Sequence, residues 1–168
     1  MDSIFLFINL ICAVIIIVLV FMVSAMHKKL ATDELTGLKT RKELLKFLDR
    51  KLSRLGEDES ITVSMIDLDD FKKINDTHGH MEGDRRLAEF AGELKKICRE
   101  IDEKIFVSRY GGDEFVIVGA ENAETVLRER LELGFSMGTV VIYGSEKAGT
   151  EEVISMADRA MYSAKERR

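Results

Sequence analysis

The sequence lacks any long run of basic residues. Its 168 residues include 25 Lys and Arg against 30 Asp and Glu, which gives a formal net charge of −5. Proteins that bind the phosphate backbone of DNA or RNA normally carry a basic patch, because that contact is mostly electrostatic. The composition therefore excludes nucleic acid as an expected partner.

Cysteine is also scarce. Cys12 lies inside an apolar N-terminal run and Cys98 lies in a segment with helical periodicity. Two such isolated thiols cannot easily meet, and they suit a reducing compartment. His80 has no second His or Cys at metal-ligand spacing. We therefore expect neither a disulfide nor a zinc site.

Charged residues are absent from the segment between Ser3 and Met26. At ~1.5 Å per residue this segment reaches across a hydrocarbon core of roughly 30 Å, which predicts one transmembrane helix. A cleavable signal peptide is the alternative, because Val23-Ser24-Ala25 resembles a cleavage site. No Lys or Arg precedes the apolar run, however, and the run is longer than the apolar part of an ordinary signal peptide.

The charges that flank this segment predict its orientation. His27-Lys28-Lys29 follow it and only Asp2 precedes it, so the positive-inside rule places the rest of the chain in the cytoplasm. The expected organisation is a membrane anchor and juxtamembrane segment at residues 1–29 and one domain at residues 30–168. The expected location is the cytoplasmic (inner) membrane.

Two short stretches place carboxylates at the ends of apolar, strand-like runs. Asp67-Leu68-Asp69-Asp70-Phe71-Lys72 follows the first run, and Gly111-Gly112-Asp113-Glu114-Phe115 joins two others. Gly111 and Gly112 predict a tight hairpin in which both glycines adopt positive φ angles, with Asp113 and Glu114 at the tip. Taken alone, Gly-Gly-Asp-Glu is most often an ordinary solvated turn.

The surroundings of this turn resemble the GGDEF family, the bacterial diguanylate cyclases. Arg109-Tyr110 precede the signature at Gly111 to Phe115, and further family landmarks follow one another in the family's order. They are Asp33 to Leu38, Asp67 to Asp76, Gly79 to Asp84, Phe135 to Gly138 and Ala157 to Lys165. The resemblance spans residues 33–165, and several ordered motifs together are far more specific than one.

Apolar periodicity predicts an α+β domain. The predicted elements are helices at Arg41–Leu55, Gly83–Ile101, Asn122–Leu131 and Thr150–Lys165, and strands at Ser60–Ile66, Lys104–Tyr110, Glu114–Gly119 and Gly134–Ile142. Their order is βαββαβ with flanking helices, a ferredoxin-like arrangement, and the resemblance implies the same palm-like layout. If the first strand and the hairpin are neighbours, Asp67 and Asp113 lie together at one rim of the sheet.

Paired carboxylates predict a magnesium site. Mg²⁺ prefers oxygen ligands and retains substrate phosphate oxygens, so Asp67 and Asp113 suffice for two ions, with Mn²⁺ as a substitute. The resemblance adds the Leu68 main-chain carbonyl as a ligand. It also gives Glu114 one of two roles, helping the second metal or taking the proton from an attacking hydroxyl. Asp33 and Thr36 suit turn and helix-cap chemistry better than catalysis.

The substrate-binding residues follow from the same resemblance. Amides at a helix start and an ammonium group bind phosphate well, and the expected substrate-binding residues are Asp70, Phe71, Lys72, Asn75, Asp84 and Lys165. Lys72 and Lys165 are assigned to the triphosphate, and Asn75 and Asp84 to guanine. A carboxylate at Asp84 accepts from the N1 and N2 donors that adenine does not offer. The alternative for Asp84 is to cap the helix that it begins.

The resemblance implies a diguanylate cyclase that condenses two GTP molecules into cyclic di-GMP, releases two pyrophosphates and works as a homodimer. Two departures from the family favour an alternative, a catalytically inactive GTP-binding regulatory or scaffold module. The stretch between Phe115 and Ser136 is short, and Arg167-Arg168 stand where the family continues with Gly-Arg-Asn. The family's Arg-x-x-Asp product-binding motif is also replaced here by Asp102-Glu103-Lys104-Ile105.

Overall fold

The computed structural model of the chain describes residues 11–22 and 31–167. The strands of the domain are β1 (Lys39–Thr40), β2 (Ser60–Leu68), β3 (Phe106–Gly111), β4 (Glu114–Val118) and β5 (Phe135–Tyr143). Its helices are α1 (Arg41–Leu52), α2 (Phe71–His78), α3 (His80–Ile101), α4 (Ala123–Arg130) and α5 (Thr150–Glu166), and Gly144–Glu146 form a short 3₁₀ turn.

The five strands form one sheet in the order β1-β3-β4-β2-β5. Strand β2 runs antiparallel to both of its neighbours, β4 and β5, while the two-residue β1 pairs parallel to β3. Apart from β1, this is the strand order of a ferredoxin-like βαββαβ unit, so the α+β prediction is confirmed. The hairpin of β3 and β4 therefore lies directly beside β2.

Helices cover both faces of the sheet. Successive strand residues point to opposite faces, so Met65 and Val116 pack with α1 and α5, whereas Ile66 and Phe115 pack with α3 and α4. A strand that is buried on both faces has a nearly continuous run of apolar residues in its sequence, and β2 and β4 have such runs. Asp67 interrupts that run at the face of the sheet that carries α5.

The described part of the N-terminal apolar segment is helical. Residues 11–22 form an α-helix whose side chains are exposed, for example Ile17 at 67% and Phe21 at 74%. Within residues 11–22 and 31–167, no helix is both long enough and apolar enough to cross a membrane. The remainder of the predicted span, and the predicted boundary between residues 29 and 30, lie outside the described residues.

Three details of the sequence prediction were wrong. Helix α3 begins at His80 and not at Gly83, because Gly79 alone separates it from α2. Asp84 therefore sits inside the first turns of α3, and Gly79 occupies the cap position that had been the alternative role for Asp84. In the hairpin only Gly112 has a positive φ, at 51°, while a bulge between Arg109 and Gly111 lets the chain turn.

Strand β5 packs closely on α5 at a glycine, Gly138. A methyl group on Gly138 of β5 would lie 1.9 Å from the main-chain nitrogen of Met161. Because the obstacle is helix backbone, Gly138→Ala is expected to destabilise the fold by about 3 kcal/mol and to lower Tm by roughly 6–12 °C. Thermal unfolding measures the effect, and Gly92→Ala is the control, since Gly92 has open space around it. Equal Tm values for the two variants would contradict this packing.

Candidate functional site

The C-terminal end of β2 and the tip of the β3–β4 hairpin meet at one rim of the sheet. Asp67 is the register partner of Glu114, so these two side chains leave the sheet on the same face. The main-chain amide of Leu68 donates to the carbonyl of Asp113 across a distance of 3.3 Å. Strand pairing therefore brings Asp67, Asp113 and Glu114 together, as the topology predicted.

Phe115 anchors the hairpin in the core. Its side chain is fully buried, and its ring lies 5.2 Å from the ring of Phe90 on α3. Phe115 follows Asp113 and Glu114 in the sequence and points to the opposite face of the sheet from Glu114. Burial of this ring keeps the two carboxylates at the rim.

Arg109 holds the tip of the hairpin from outside. Its guanidinium donates to the carbonyl of Gly112 at 2.8 and 3.0 Å and to the carboxylate of Asp33 at 3.0 and 3.2 Å. Asp33 also accepts from the amide and hydroxyl of Thr36, which closes the turn before β1. Asp33 and Thr36 therefore have turn chemistry, and Thr40 holds the cap position of α1 without a side-chain bond.

Local hydrogen bonds favour the ionised form of Asp33. Burial of its carboxylate would raise the pKa, but hydrogen bonds from Thr36 and Arg109 outweigh burial and hold the pKa of Asp33 below its ordinary value. Both side chains of the Asp33–Arg109 pair are largely shielded, at 26% and 18% exposure. The pair therefore ties the chain ahead of β1 to the hairpin that carries Asp113.

The carboxylates at the rim repel one another. Burial and the charge of Asp67 raise the pKa of Asp113 above its ordinary value. Burial raises the pKa of Glu114 as well, and the charges of Asp67, Asp158 and Asp113 add to that effect. A site that concentrates negative charge in this way favours a bound cation.

A lysine from the far end of the chain neutralises part of this charge. The ammonium group of Lys165 on α5 donates to Oδ1 of Asp67 at 2.5 Å. This bond, followed by the charges of neighbouring carboxylates, raises the pKa of Lys165 despite partial desolvation. The lysine that the sequence assigned to triphosphate thus lies at the same rim as the predicted metal ligands.

The loop between β2 and α2 has an unusual backbone conformation. Asp70 adopts a left-handed conformation with φ 55° and ψ 21°, which is uncommon for a residue other than glycine. Asp69 is held by the hydroxyl of Ser136, which donates to its carboxylate at 2.7 Å. The first turn of α2 then begins with Phe71 and Lys72, whose amide groups have no acceptor within their own helix. Lys72 is exposed beside them.

The predicted guanine-binding residues lie on the paired helices α2 and α3. Asn75 is partly buried on α2, and its side chain lies against the backbone of Gly83 on α3. Asp84 follows Gly83 in the sequence, and its side chain is exposed. The contact with Gly83 therefore places Asn75 against the turn of α3 that also carries Asp84.

The donor set fits a divalent cation that shares its ligands with a substrate. Within residues 11–22 and 31–167, no three His, Cys, Asp or Glu side chains are arranged to enclose a metal by themselves. Mg²⁺ usually takes one or two carboxylates and completes its shell with water and phosphate oxygens. The carboxylates of Asp67 and Asp113 and the main-chain carbonyl of Leu68 are oxygen donors of the type that such a cation accepts.

The sequence prediction missed two residues that act on Glu114. Asp158 of α5 raises the pKa of Glu114, and Arg41 of α1 opposes that rise. Both line one cavity with Glu114 and Tyr110, and the guanidinium of Arg41 lies 4.4 Å from the centre of the Tyr110 ring. Asp158 lies within the family motif from Ala157 to Lys165, and that motif could have indicated that Asp158 lies near the site. Arg41 has no such signal.

Comparison with known proteins identifies the family. The family model described as "Diguanylate cyclase, GGDEF domain" matches residues 30–168, and the chain belongs to this family. It is 35% identical over 159 residues to the diguanylate cyclase DgcP of Pseudomonas aeruginosa, and 36% identical over 151 residues to the diguanylate cyclase DgcZ of Escherichia coli.

A solved GGDEF-domain structure has a similar fold. The structure of the coiled coil and GGDEF domain of DgcB from Caulobacter crescentus, solved with c-di-GMP, matches with a TM-score of 0.78 at 24% identity. That match covers 92% of this chain and 91% of the other. The curated relatives are longer: the matched regions cover 83% of this chain but 23% of DgcP, and 80% of this chain but 50% of DgcZ.

Proposed function

We propose that this protein is a diguanylate cyclase that condenses two GTP molecules into cyclic di-GMP and releases two pyrophosphates. The observation that carries the proposal is the meeting of Asp67, Asp113 and Glu114 at one rim, where strand pairing fixes them beside Lys165. Membership of the diguanylate cyclase family and similarity to two named diguanylate cyclases support the same activity.

Each residue at the rim has a role in this reaction. Asp67, Asp113 and the Leu68 carbonyl would hold two Mg²⁺ ions, which supply charge neutralisation at the reacting phosphate. Lys165 and Lys72, with the amides of the first turn of α2, bind the triphosphate. These groups hold the α-phosphorus in place and favour the charge that develops on its oxygens.

The reaction forms one bond and breaks one bond at each α-phosphorus. The 3′ hydroxyl of one GTP forms the new P–O bond, the bond from the α-phosphorus to the bridging oxygen breaks, and pyrophosphate leaves. Glu114 is the group that we assign to accept the hydroxyl proton, because burial and neighbouring carboxylates raise its pKa. Two such steps, in opposite directions, close the cyclic product.

Guanine selection rests on Asn75 and Asp84. The Asp84 carboxylate accepts from the N1 and N2 donors of guanine, and the Asn75 amide offers one donor group and one acceptor group. Adenine has no donor at N1 and no 2-amino group, so it leaves the carboxylate without a partner. A polar group that loses its partner in this way discriminates strongly against the wrong ligand.

The chemistry also implies an arrangement for the whole protein. Each site binds one GTP and each product needs two, so the active form is a homodimer whose two sites face one another. The uncharged segment from Ser3 to Met26 serves as a membrane anchor, and His27-Lys28-Lys29 keep the domain on the cytoplasmic face. Cross-linking in membranes and protease protection of intact cells test these two points.

The direct test is a product assay. The full chain, purified in detergent, is incubated with GTP and Mg²⁺, and nucleotides are separated by chromatography. Cyclic di-GMP and pyrophosphate in a 1:2 ratio are the expected products. GTP binding without any product from a dimeric preparation would instead identify an inactive GTP-binding module.

The product is not expected to inhibit the enzyme through the position of the family's product-binding motif. Asp102 occupies the place of the arginine, and its carboxylate accepts from the amide of Lys104 at 2.8 Å in a local turn. A carboxylate there repels the phosphates of the product, and Ile105 offers no polar group. Titration of cyclic di-GMP into the working enzyme should leave the rate unchanged. Inhibition that is lost on changing Asp102 or Lys104 would contradict this expectation.

A further inference from the structure

Two helix-interior glycines in α3 differ in their surroundings. Glycine is disfavoured relative to alanine inside a helix, because it has more backbone freedom to lose. Gly92 is exposed, and a methyl group there would meet nothing within 4 Å. Gly83 is buried, and a methyl group there would lie 1.9 Å from Oδ1 and 2.9 Å from Cγ of Asn75. The missing side chain at Gly83 therefore leaves room for one particular group, the Asn75 amide.

The connection between α2 and α3 explains this close approach. Gly79 is the only residue between the two helices, with φ 84° and ψ 160°, and its amide donates to the carbonyl of Asn75 at 2.8 Å. The amide of Gly83 in turn donates to the carbonyl of Gly79 at 3.2 Å. These bonds pin the backbone of Asn75 against the first turn of α3, so the space over Gly83 is where its side chain must go.

We propose that Gly83 is a positioning residue for guanine selection. Because it has no side chain, the Asn75 amide can pack against the α3 backbone at the residue before Asp84. This inference rests on the proposed function and adds how the specificity of that site arises. A methyl group at residue 83 collides with the amide whichever way the amide is turned, since oxygen and nitrogen occupy similar space. Asn75 must then leave its rotamer and its position against Gly83, the residue before Asp84.

The test is a double-mutant cycle on the full chain. Affinities for the α,β-methylene analogues of GTP and ATP, whose P–C bond prevents release of the pyrophosphate group, are measured by calorimetry for Gly83→Ala, Asn75→Ala and the double variant. Gly83→Ala is expected to weaken binding of the GTP analogue about tenfold, as loss of a hydrogen bond to a buried group does. Binding of the ATP analogue should not change. In the Asn75→Ala background, Gly83→Ala should have no further effect, because the group through which it acts has gone.

Gly92→Ala is the matched control, with the same substitution in the same helix and no neighbour to disturb. It should leave both affinities unchanged. Three results overturn the inference alone: Gly83→Ala binds like Gly92→Ala, its loss persists in the Asn75→Ala background, or it weakens both analogues equally. Failure of the unaltered chain to bind the GTP analogue overturns the proposed function itself, and this inference with it.

Discussion

Asp113→Asn is expected to reduce cyclic di-GMP synthesis by roughly a thousandfold, since loss of about 4 kcal/mol of metal-assisted charge stabilisation corresponds to that factor. Asparagine keeps the shape of the side chain but loses the charge that holds a divalent cation. Asp67→Asn should have the same effect, because Asp67 and Asp113 lie at the same rim and are the proposed ligands of the same metal site. Chromatography of the nucleotide products measures the rate, and Mn²⁺ titration followed by electron paramagnetic resonance measures the metal site.

The fold should survive the change at Asp113. Burial and the charge of Asp67 raise the pKa of Asp113, so ionisation of this carboxyl group is less favourable in the folded state than in the unfolded state. Removing that charge relieves the repulsion, and Tm should stay equal or rise. Asp58→Asn is the control, with the same loss of charge in an exposed position before β2, at the opposite end of the strand from Asp67. An Asp113→Asn protein that works as fast as the Asp58→Asn protein would exclude Asp113 from the site.

Lys165→Met is expected to affect nucleotide and metal in opposite directions. Loss of a hydrogen bond to a charged phosphate is worth about 1.5–3 kcal/mol, so synthesis should fall roughly 10- to 100-fold at subsaturating GTP. The same substitution removes the ammonium group that bonds Oδ1 of Asp67. Without nucleotide, Mn²⁺ should therefore bind a few-fold more tightly. The gain is small because Lys165 is 45% exposed and solvent screens its charge.

The metal titration is the decisive part of this experiment, because a general loss of structure would weaken both ligands together. Lys96→Met, on an exposed position of α3, controls for the removal of one positive charge. Weaker Mn²⁺ binding by the Lys165→Met protein would mean that Lys165 organises Asp67 for the metal instead of competing with it. If the Lys165→Met protein keeps both its rate of synthesis at subsaturating GTP and its affinity for Mn²⁺, Lys165 lies outside the site.

The elements that periodicity predicted are those with a regular apolar pattern. Strand β2 and helix α5 were predicted close to their observed bounds, because each buries a repeating set of apolar side chains. The first turn of α3 escaped prediction because His80 and Met81 are exposed and carry no apolar period. Strand β1 escaped for a similar reason, since Lys39–Thr40 is a two-residue polar edge strand with no apolar pattern, and only its pairing with β3 defines it.

Part of the site also followed from the order of the elements. Once β2 and the hairpin are neighbours, Asp67 and Asp113 lie together at one rim, and that adjacency was expected. The register that pairs Asp67 with Glu114 was known only from the structure. The residues that modify the carboxylates were harder to predict. Arg41 on α1 and Asp158 on α5 lie on the same face of the sheet as Glu114, but their effect on the pKa of Glu114 depends on distances that no sequence pattern encodes.

The sequence by itself determined the family, the order of strands and helices, and the identity of the carboxylates at the rim. It did so because motif spacing and apolar periodicity are local properties of the chain. Only the tertiary structure decided the pairing of Asp67 with Lys165, 98 positions away, and of Asp33 with Arg109, 76 positions away. The tertiary structure also decided the contact of the Asn75 side chain with Gly83. Such contacts depend on how closely the helices and strands pack. The packing distances are set by all the side chains between them.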